Sequence, residues 1–451
     1  MIQSLRGLYP WWKKNKLIFR STELLMKSLE DTKLLAANGG PTAITSPLPP
    51  MYPGGMQIDH EEEQAVLDVL RTKRLFRYYG PAQGPSKVAE LEKAFSGFMG
   101  TRHGLGVTSG TAALICALAG LGIGPGDEVI IPAYTWIATA SAVVALGAVP
   151  IIAEVDDSLT LDPQEVERCI TPYTKAVIPV HMRGAPCRMD AIVNIARKHN
   201  LKVLEDTAQA IGASYRGKRL GSIGDAGAFS LQFNKIITSG EGGMVITNDL
   251  QTYQKAVMFH DVIGGLRNQI PENQIFPGVN FRMPELLGAV ALVQLHRLDS
   301  LLAAMRIRKQ MLMDHLSPVL KRKGIFQRTI NDAAGDAAIC LILYLPEASL
   351  TQPVARALEA EGLPIWVLYS PEAVDYHVYA HWSPILGQHT WTPNGGPWKT
   401  HPRKIAYSTD MCPRTLDFLS RAIHLDISPN LENNNLEEIA EAVYKVVNSL
   451  V

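Results

Sequence analysis

The chain has 451 residues, 47% of them apolar and 19% charged, enough to bury one large core with a smaller one beside it. Lys plus Arg equals Asp plus Glu at 43 each, which removes the electrostatic drive towards nucleic acid or an anionic membrane. Five scattered cysteines, an odd total without a CxxC pair, exclude a disulfide or metal framework and read as the reduced thiols of a cytoplasmic protein.

In chain order, residues 1–33 read as an N-terminal extension. MIQSLRGLYPWWKKNKLIFRSTELL carries five basic residues and one acid but not the uninterrupted apolar core of a signal peptide. It reads as an upstream leader with Met26 as an alternative start, or else as a basic amphipathic membrane contact. From about residue 100 the pattern alternates. TAALICALAGLG (from Thr111) predicts a helix, EVIIPAY (from Glu128) a strand, TWIATASAVVALG (from Thr135) a helix and VPIIAEV (from Val149) a strand. KAVIPVH (from Lys175), MDAIVNIARKHN (from Met189) and KVLEDTA (from Lys202) follow as strand, helix and strand. The strand starts are 21 to 27 residues apart, a step that suits strand–helix–strand crossovers, and the runs are apolar on both faces, as in a covered parallel sheet. The apolar stretch from Thr135 to Val155 is broken by Gly147 and Pro150, so helix, turn and buried strand is the reading, and no transmembrane segment is expected. Two short strands, AGAFSL and GGMVITN, then flank FSLQFNKIITSGEGG.

From Pro284 apolar residues recur at helical spacing through PELLGAVALVQLHRLDSLLAAMRIRKQMLMDHL, a length that suits a helix bridging two domains. Beyond it AAICLILYLP (from Ala337) and LPIWVLYS (from Leu363) predict strands around a helix, LTQPVARALEAEG. GQHTWTPNGGPWKTHPRK (from Gly387) predicts a long loop. The expected organisation is an α/β fold with a large domain over 34–308, mainly a parallel sheet, and a smaller C-terminal α/β domain over 309–451.

Four places carry chemistry. Ser109, Gly110 and Thr111 stand where a loop opens a helix, either as an ordinary cap or as a phosphate cradle of free N–H groups. Asp206 ends a buried strand and needs a cation, which a structural arginine or a protonated pyridine nitrogen would supply. Trp136 follows a strand directly, to pack in the core or to stack on a planar ligand. Lys235 sits between an apolar run and the glycine turn GEGG, away from any charged helix face. Cradle, flat wall, carboxylate and lysine are the parts that pyridoxal 5′-phosphate (PLP) requires, and their order at strand ends suits an aspartate-aminotransferase-like fold, type I of the PLP-dependent transferases. No metal site is expected.

The motifs SGTAAL, EVIIPAYTW, LEDTAQAIGASYRGKRLGSIGDAGAFSLQFNK, GEGGMVITND and VNFRMPELLGAVALVQL, in that order, resemble the DegT/DnrJ/StrS family of PLP-dependent sugar aminotransferases, from about Leu34 to the C-terminus. The resemblance implies that Lys235 carries the cofactor as a Schiff base and shuttles the substrate proton. Asp206 would pair with the ring nitrogen, Gln209 reach the ring hydroxyl and Trp136 stack on the ring, where many relatives have phenylalanine. Gly110, Thr111 and Ser230 would hold the phosphate, with Asn280 reaching it from a neighbouring subunit, so a homodimer with a shared site is implied.

The family mostly moves an amino group from glutamate or glutamine to a keto-sugar, nucleotide-linked sugar or cyclitol ketone. VHMRGAPCRMD departs from the commoner form, which makes Arg183 an anion-binding candidate, with a surface ion pair as the alternative. DYHVYAHW resembles a segment of the subgroup that aminates an eight-carbon keto-sugar acid, and His377 and Trp382 are its candidate substrate contacts. FRYYGPAQGPSKV would close the mouth with Tyr78 or Tyr79. The tail MCPRTLDFLSRAIHLDIS departs from the usual family motif. Two other functions stand beside aminotransfer: a PLP-dependent sugar dehydratase or lyase on the same scaffold, and a non-catalytic PLP-binding regulatory protein.

Overall fold

The computed structural model describes residues 34–54, 57–79, 85–393 and 395–451. The leader, its alternative start and the membrane-contact reading lie outside the described residues. Strands β1 (His103–Val107), β2 (Glu128–Pro132), β3 (Val149–Ala153), β4 (Thr174–Val177) and β5 (Lys202–Asp206) lead to a small hairpin of β6 (Ser214–Tyr215) and β7 (Lys218–Arg219). β8 (Ala226–Ser230) and β9 (Gly243–Thr247) complete a seven-stranded sheet of order β1-β9-β8-β5-β4-β2-β3. β3, β2, β4, β5 and β8 pair in parallel, while β9 runs antiparallel to both β8 and β1. Six strands therefore point the same way and β9 alone returns.

Every residue of β2, β8 and β9 is buried, as the two-faced apolar runs predict for a sheet covered by helices. The helices Gly110–Gly120, Ala138–Ala145 and Met189–Lys198 fall where the pattern predicts them. One starts later than predicted. Thr135 and Ile137 donate their N–H groups to the carbonyls of His377 (2.9 Å) and Tyr376 (3.0 Å), so the first helical turn begins only at Ala138. β1 is an element the periodicity does not reveal, because HGLGV has two glycines in five residues.

The helix Glu285–Arg322 runs 38 residues, through Pro318 and unbroken across residue 309. By length and composition it could cross a bilayer, yet Leu298, Met305, Leu312 and Leu316 are fully buried against the rest of the chain. Its first half meets the helix His60–Thr72, where Gln294 Nε2 donates to Glu62 Oε1 (2.8 Å). Its second half meets the C-terminal helix Asn433–Leu450, whose Tyr444 hydroxyl donates to His315 O (3.0 Å).

A second sheet has order β10 (Phe326–Gln327), β11 (Cys340–Tyr344) and β14 (Ala422–Asp426), all antiparallel. β12 (Tyr369–Ser370) and β13 (Ala373–Val374) form a separate hairpin. The strand predicted from Leu363 is shorter than expected: Trp366 makes a single bridge to His424 of β14, and only its end, Tyr369–Ser370, is a strand, β12. β14 is drawn from AIHLD in the divergent tail and pairs with β11.

Candidate active site

The ends of β1, β2, β4, β5 and β8 converge on a cavity of about 770 Å³, closed on its far side by residues of the second sheet. Ligands sit at this end of parallel sheets because successive crossovers part there and leave a crevice between loops.

β1 delivers the helix Gly110–Gly120, capped by Ser109, whose Oγ accepts from Ala112 N–H (3.1 Å). The remaining N–H groups of that first turn, with Thr111, face the cavity end of β8. A Cβ on Gly110 would stand 2.7 Å from Ser230 Cβ, so only glycine lets helix and strand approach this closely.

Asp206 closes β5 and is 5% exposed. One oxygen accepts from Thr139 Oγ1 (2.9 Å), itself bonded to Thr135 Oγ1 (2.8 Å), and the other from Ala208 N–H (3.1 Å). No cation lies within 4 Å of it among the described residues. Burial raises its carboxyl above the ordinary range, against the opposing effects of Ala208, Thr139 and Lys235. Behind it, His181 and Glu205 form a fully buried pair (3.0 Å), and Glu205 also accepts three backbone N–H groups, from Gly221, Ile223 and Gly224.

Lys235 lies on the connection between β8 and β9, which returns to the same end of the sheet because β9 runs backwards. Leu231 N–H donates to Gly242 O (2.9 Å) and Phe233 N–H to Gly240 O (3.0 Å), with Gly240 (φ +84°) and Gly242 (φ +153°) in backbone regions open to glycine. The amine is half-buried and pairs with no described residue. Desolvation lowers its pKa, partly opposed by Asp206, so more of it is the neutral nucleophile than in an exposed lysine.

Trp136 is 47% exposed on the cavity wall, tilted 54° to the His377 ring at 4.9 Å between centroids. Gln209 Oε1 accepts from Arg183 N–H (3.1 Å), and its Nε2 lies 3.3 Å from His377 Nε2. His377 Nδ1 is 2.7 Å from Asp375 Oδ1. With Nδ1–H given to Asp375, Nε2 is left to accept from Gln209. Burial lowers the imidazole pKa, which fits this neutral form.

The cavity thus gathers Gly110, Thr111, Trp136, Arg183, Asp206, Gln209, Ser230, Lys235 and His377. It does not gather Asn280, which is exposed and accepts from Arg282 N–H (3.3 Å). Nor does it gather Trp382, which is corrected here from a substrate contact to a support: it is fully buried, and its Nε1–H donates to Tyr376 O (2.7 Å), holding the segment that presents His377. Tyr78, 3.4 Å from His260, and Tyr79 stand outside the lining, residues 80–84 of that segment lie outside the described residues, and Met51, Tyr52 and Pro53 line the cavity. Sequence reasoning also passed over Thr139, Asp375, Trp366 and Asp426. Only Thr139 carried a signal, one helical turn after Thr135. An orphaned buried carboxylate, an unpaired amine and a helix N-terminus on one cavity suit a flat aromatic cation with a carbonyl and an anionic arm.

Comparison with known proteins agrees with this geometry. The sequence profile of the DegT/DnrJ/EryC1/StrS aminotransferase family matches residues 56–390. GDP-perosamine synthase of Caulobacter vibrioides is 41% identical over 263 residues, 57% of this chain and 68% of that protein. L-glutamine:2-deoxy-scyllo-inosose aminotransferase of Streptomyces lividus is 36% identical over 352 residues, 75% of this chain and 81% of that protein. The crystal structure of 3-amino-5-hydroxybenzoic acid (AHBA) synthase superposes with a TM-score of 0.76 at 28% identity, over 90% of this chain and 100% of that one. DesI, solved in the presence of its TDP-sugar product, gives 0.72 at 26% identity, over 91% and 95%.

Proposed function

The chain belongs to the DegT/DnrJ/EryC1/StrS aminotransferase family, and we propose that its cavity holds pyridoxal 5′-phosphate and moves an amino group from glutamate or glutamine to the ketone carbon of a sugar or cyclitol. The observation that carries this is the pairing of an unpartnered Lys235 amine with a buried, cation-free Asp206 on one cavity beside a helix N-terminus. The relatives support it: one is named for a perosamine and another for an inosose.

When bound, PLP supplies an electron-poor ring that accepts the electron pair released as a substrate C–H bond breaks. Lys235 would hold the cofactor covalently and, once freed, take the proton from the substrate carbon; its lowered pKa favours the neutral amine that a base requires. Asp206 keeps the ring nitrogen protonated, and Thr139 and Ala208 N–H hold its carboxylate in place for that pairing. Gly110, Thr111 and Ser230 would receive the phosphate, Trp136 would cover a ring face and Gln209, oriented by His377, would reach the ring hydroxyl. His377 and Asp375 line the same cavity and would meet the acceptor. Asn280, exposed in the single chain, would serve the phosphate of a second copy, which makes the working unit a homodimer. The five free thiols suit a cytoplasmic setting.

Wild-type protein loaded with PLP should convert the bound aldehyde form to the amine form on adding glutamate or glutamine, followed by absorbance. Lys235→Ala should lose the hydride-trapped covalent adduct and at least about 10³-fold in rate. A wild-type protein whose cofactor spectrum no amino donor changes would overturn the proposal.

A further inference from the structure

Arg183 adopts φ +51° and ψ +40°, a left-handed conformation that costs a non-glycine residue about 1–3 kcal/mol and persists only where its surroundings enforce it. They do so from three sides. Its N–H donates to Gln209 Oε1 (3.1 Å), its carbonyl accepts from Arg328 Nη2 (2.8 Å), and the preceding Met182 carbonyl accepts from Arg328 Nη1 (2.9 Å). Arg183, its side chain 16% exposed, lines the cavity.

That guanidinium is poorly used. It has five N–H donors, yet among the described residues its one ion pair, to Asp426 Oδ1, is long at 3.4 Å, its buried Nε has no hydrogen-bond partner, and the buried Tyr134 hydroxyl lies beside it. Asp426 is shared, accepting from Trp366 Nε1 at 3.1 Å. Arg328, 2% exposed, brings a second guanidinium beside it and pairs with no carboxylate among the described residues. His424 adds no compensation: it is fully buried, both ring nitrogens lack partners, and burial, Arg183 and Arg328 keep it neutral. The other carboxylate on this wall, Asp375, is engaged by both the backbone N–H and the ring of His377, each at 2.7 Å. Beside Arg183 the lining is Trp366, 53% exposed, and Leu368, an apolar surface for a carbon skeleton.

We propose that Arg183 is the carboxylate-binding residue of this cavity, its guanidinium receiving a substrate carboxylate while Trp366 and Leu368 take the chain behind it. The assignment rests on the aminotransferase reading for the identity of the substrates. The carboxylate is either that of the amino-acid donor or an acid group on the ketone acceptor. A planar fork answers both with paired N–H···O bonds, which an ammonium at the same place would not form.

The test uses ligands that carry neither a transferable nitrogen nor a ketone. The PLP-loaded protein is titrated calorimetrically with glutarate against its neutral diamide, glutaramide, and with gluconate against neutral glucitol. Wild type should bind at least one acid at least tenfold more tightly than its neutral counterpart. R183Q should lose that preference and R183K keep part of it, with thermal melts confirming that both variants fold. A preference for glutarate assigns the donor, and one for gluconate assigns the acceptor. No acid preference in wild type, or one that survives R183Q, overturns the assignment. The wild-type comparison needs no variant, and none of these outcomes depends on turnover. Failure of glutamate and glutamine to convert the cofactor would instead strike at the function proposed above.

Discussion

Gly110 and Ser230 meet with no room for a methyl group, and the cavity's anion-binding end depends on that contact. In Gly110→Ala the added Cβ would face Ser230 Cβ at 2.7 Å and Oγ at 3.0 Å, and neither can swing away because Ser230 is fixed in a central strand. The helix N-terminus must back off. The expected cost is about 1–3 kcal/mol of stability, with a PLP affinity reduced at least tenfold, measured by titrating apoprotein with PLP; unchanged affinity would separate this helix end from the cofactor. Single residues were legible where local context was anomalous. Lys235 between an apolar run and a glycine turn, and Asp206 at a strand end, stand out because a charge there needs a reason. Arg183 stood out only as a departure from a pattern. Its strained backbone, its orphaned Nε and its partner Asp426, 243 positions away, come from packing alone. Between His377 and Trp382 the sequence offers no choice, since both lie in one short aromatic segment; which faces the cavity is set by the Trp382–Tyr376 hydrogen bond.

Among the elements, the segment 34–54 has no regular structure beyond one short turn, yet it supplies Met51, Tyr52 and Pro53 to the mouth. Glu361 is its anchor. Fully buried, it accepts from Ala36 N–H (2.8 Å) and Ala43 N–H (2.9 Å) and pairs with Lys445 Nζ (2.8 Å), which also donates to Pro41 O (2.6 Å). Glu361→Ala would leave a buried ammonium and two backbone donors unpaired, so unfolding free energy should fall by about 3–5 kcal/mol. Proteolysis should then cut first within 34–54, as read by urea titration and limited digestion; unaltered stability would mean that the segment is held by other contacts. Elements with strong periodicity were predictable: the four parallel strands β2, β3, β4 and β5, their helices and the start of the long helix. β1 was not, because two of its five residues are glycine, and β14 was not, because its ladder is made with β11, far off in sequence.

For the whole molecule, the position of Asn280 is the observation with the widest consequence. It lies outside the cavity of its own chain, on the exposed stretch before the helix Glu285–Arg322. If it completes the phosphate site of a second copy, Lys235→Ala and Asn280→Ala should each be impaired alone. Refolded together they should regain activity above either parent, because a mixed dimer holds one site with both residues intact. Activity that stays at the level of the weaker parents would place each site within one chain. The sequence by itself determined the α/β class and the order of the crossovers and singled out Lys235 and Asp206, since hydrophobic period and charge placement are local properties. Only the tertiary structure decided that β9 alone runs backwards in the first sheet, that Asp426 of the second sheet, with Trp366, joins Arg183 on the cavity, and that Trp382 faces inwards. Each depends on a pairing, β9 with β1 and β8, Arg183 with Asp426, or Trp382 with Tyr376, whose free energy leaves no periodic trace in either segment taken alone.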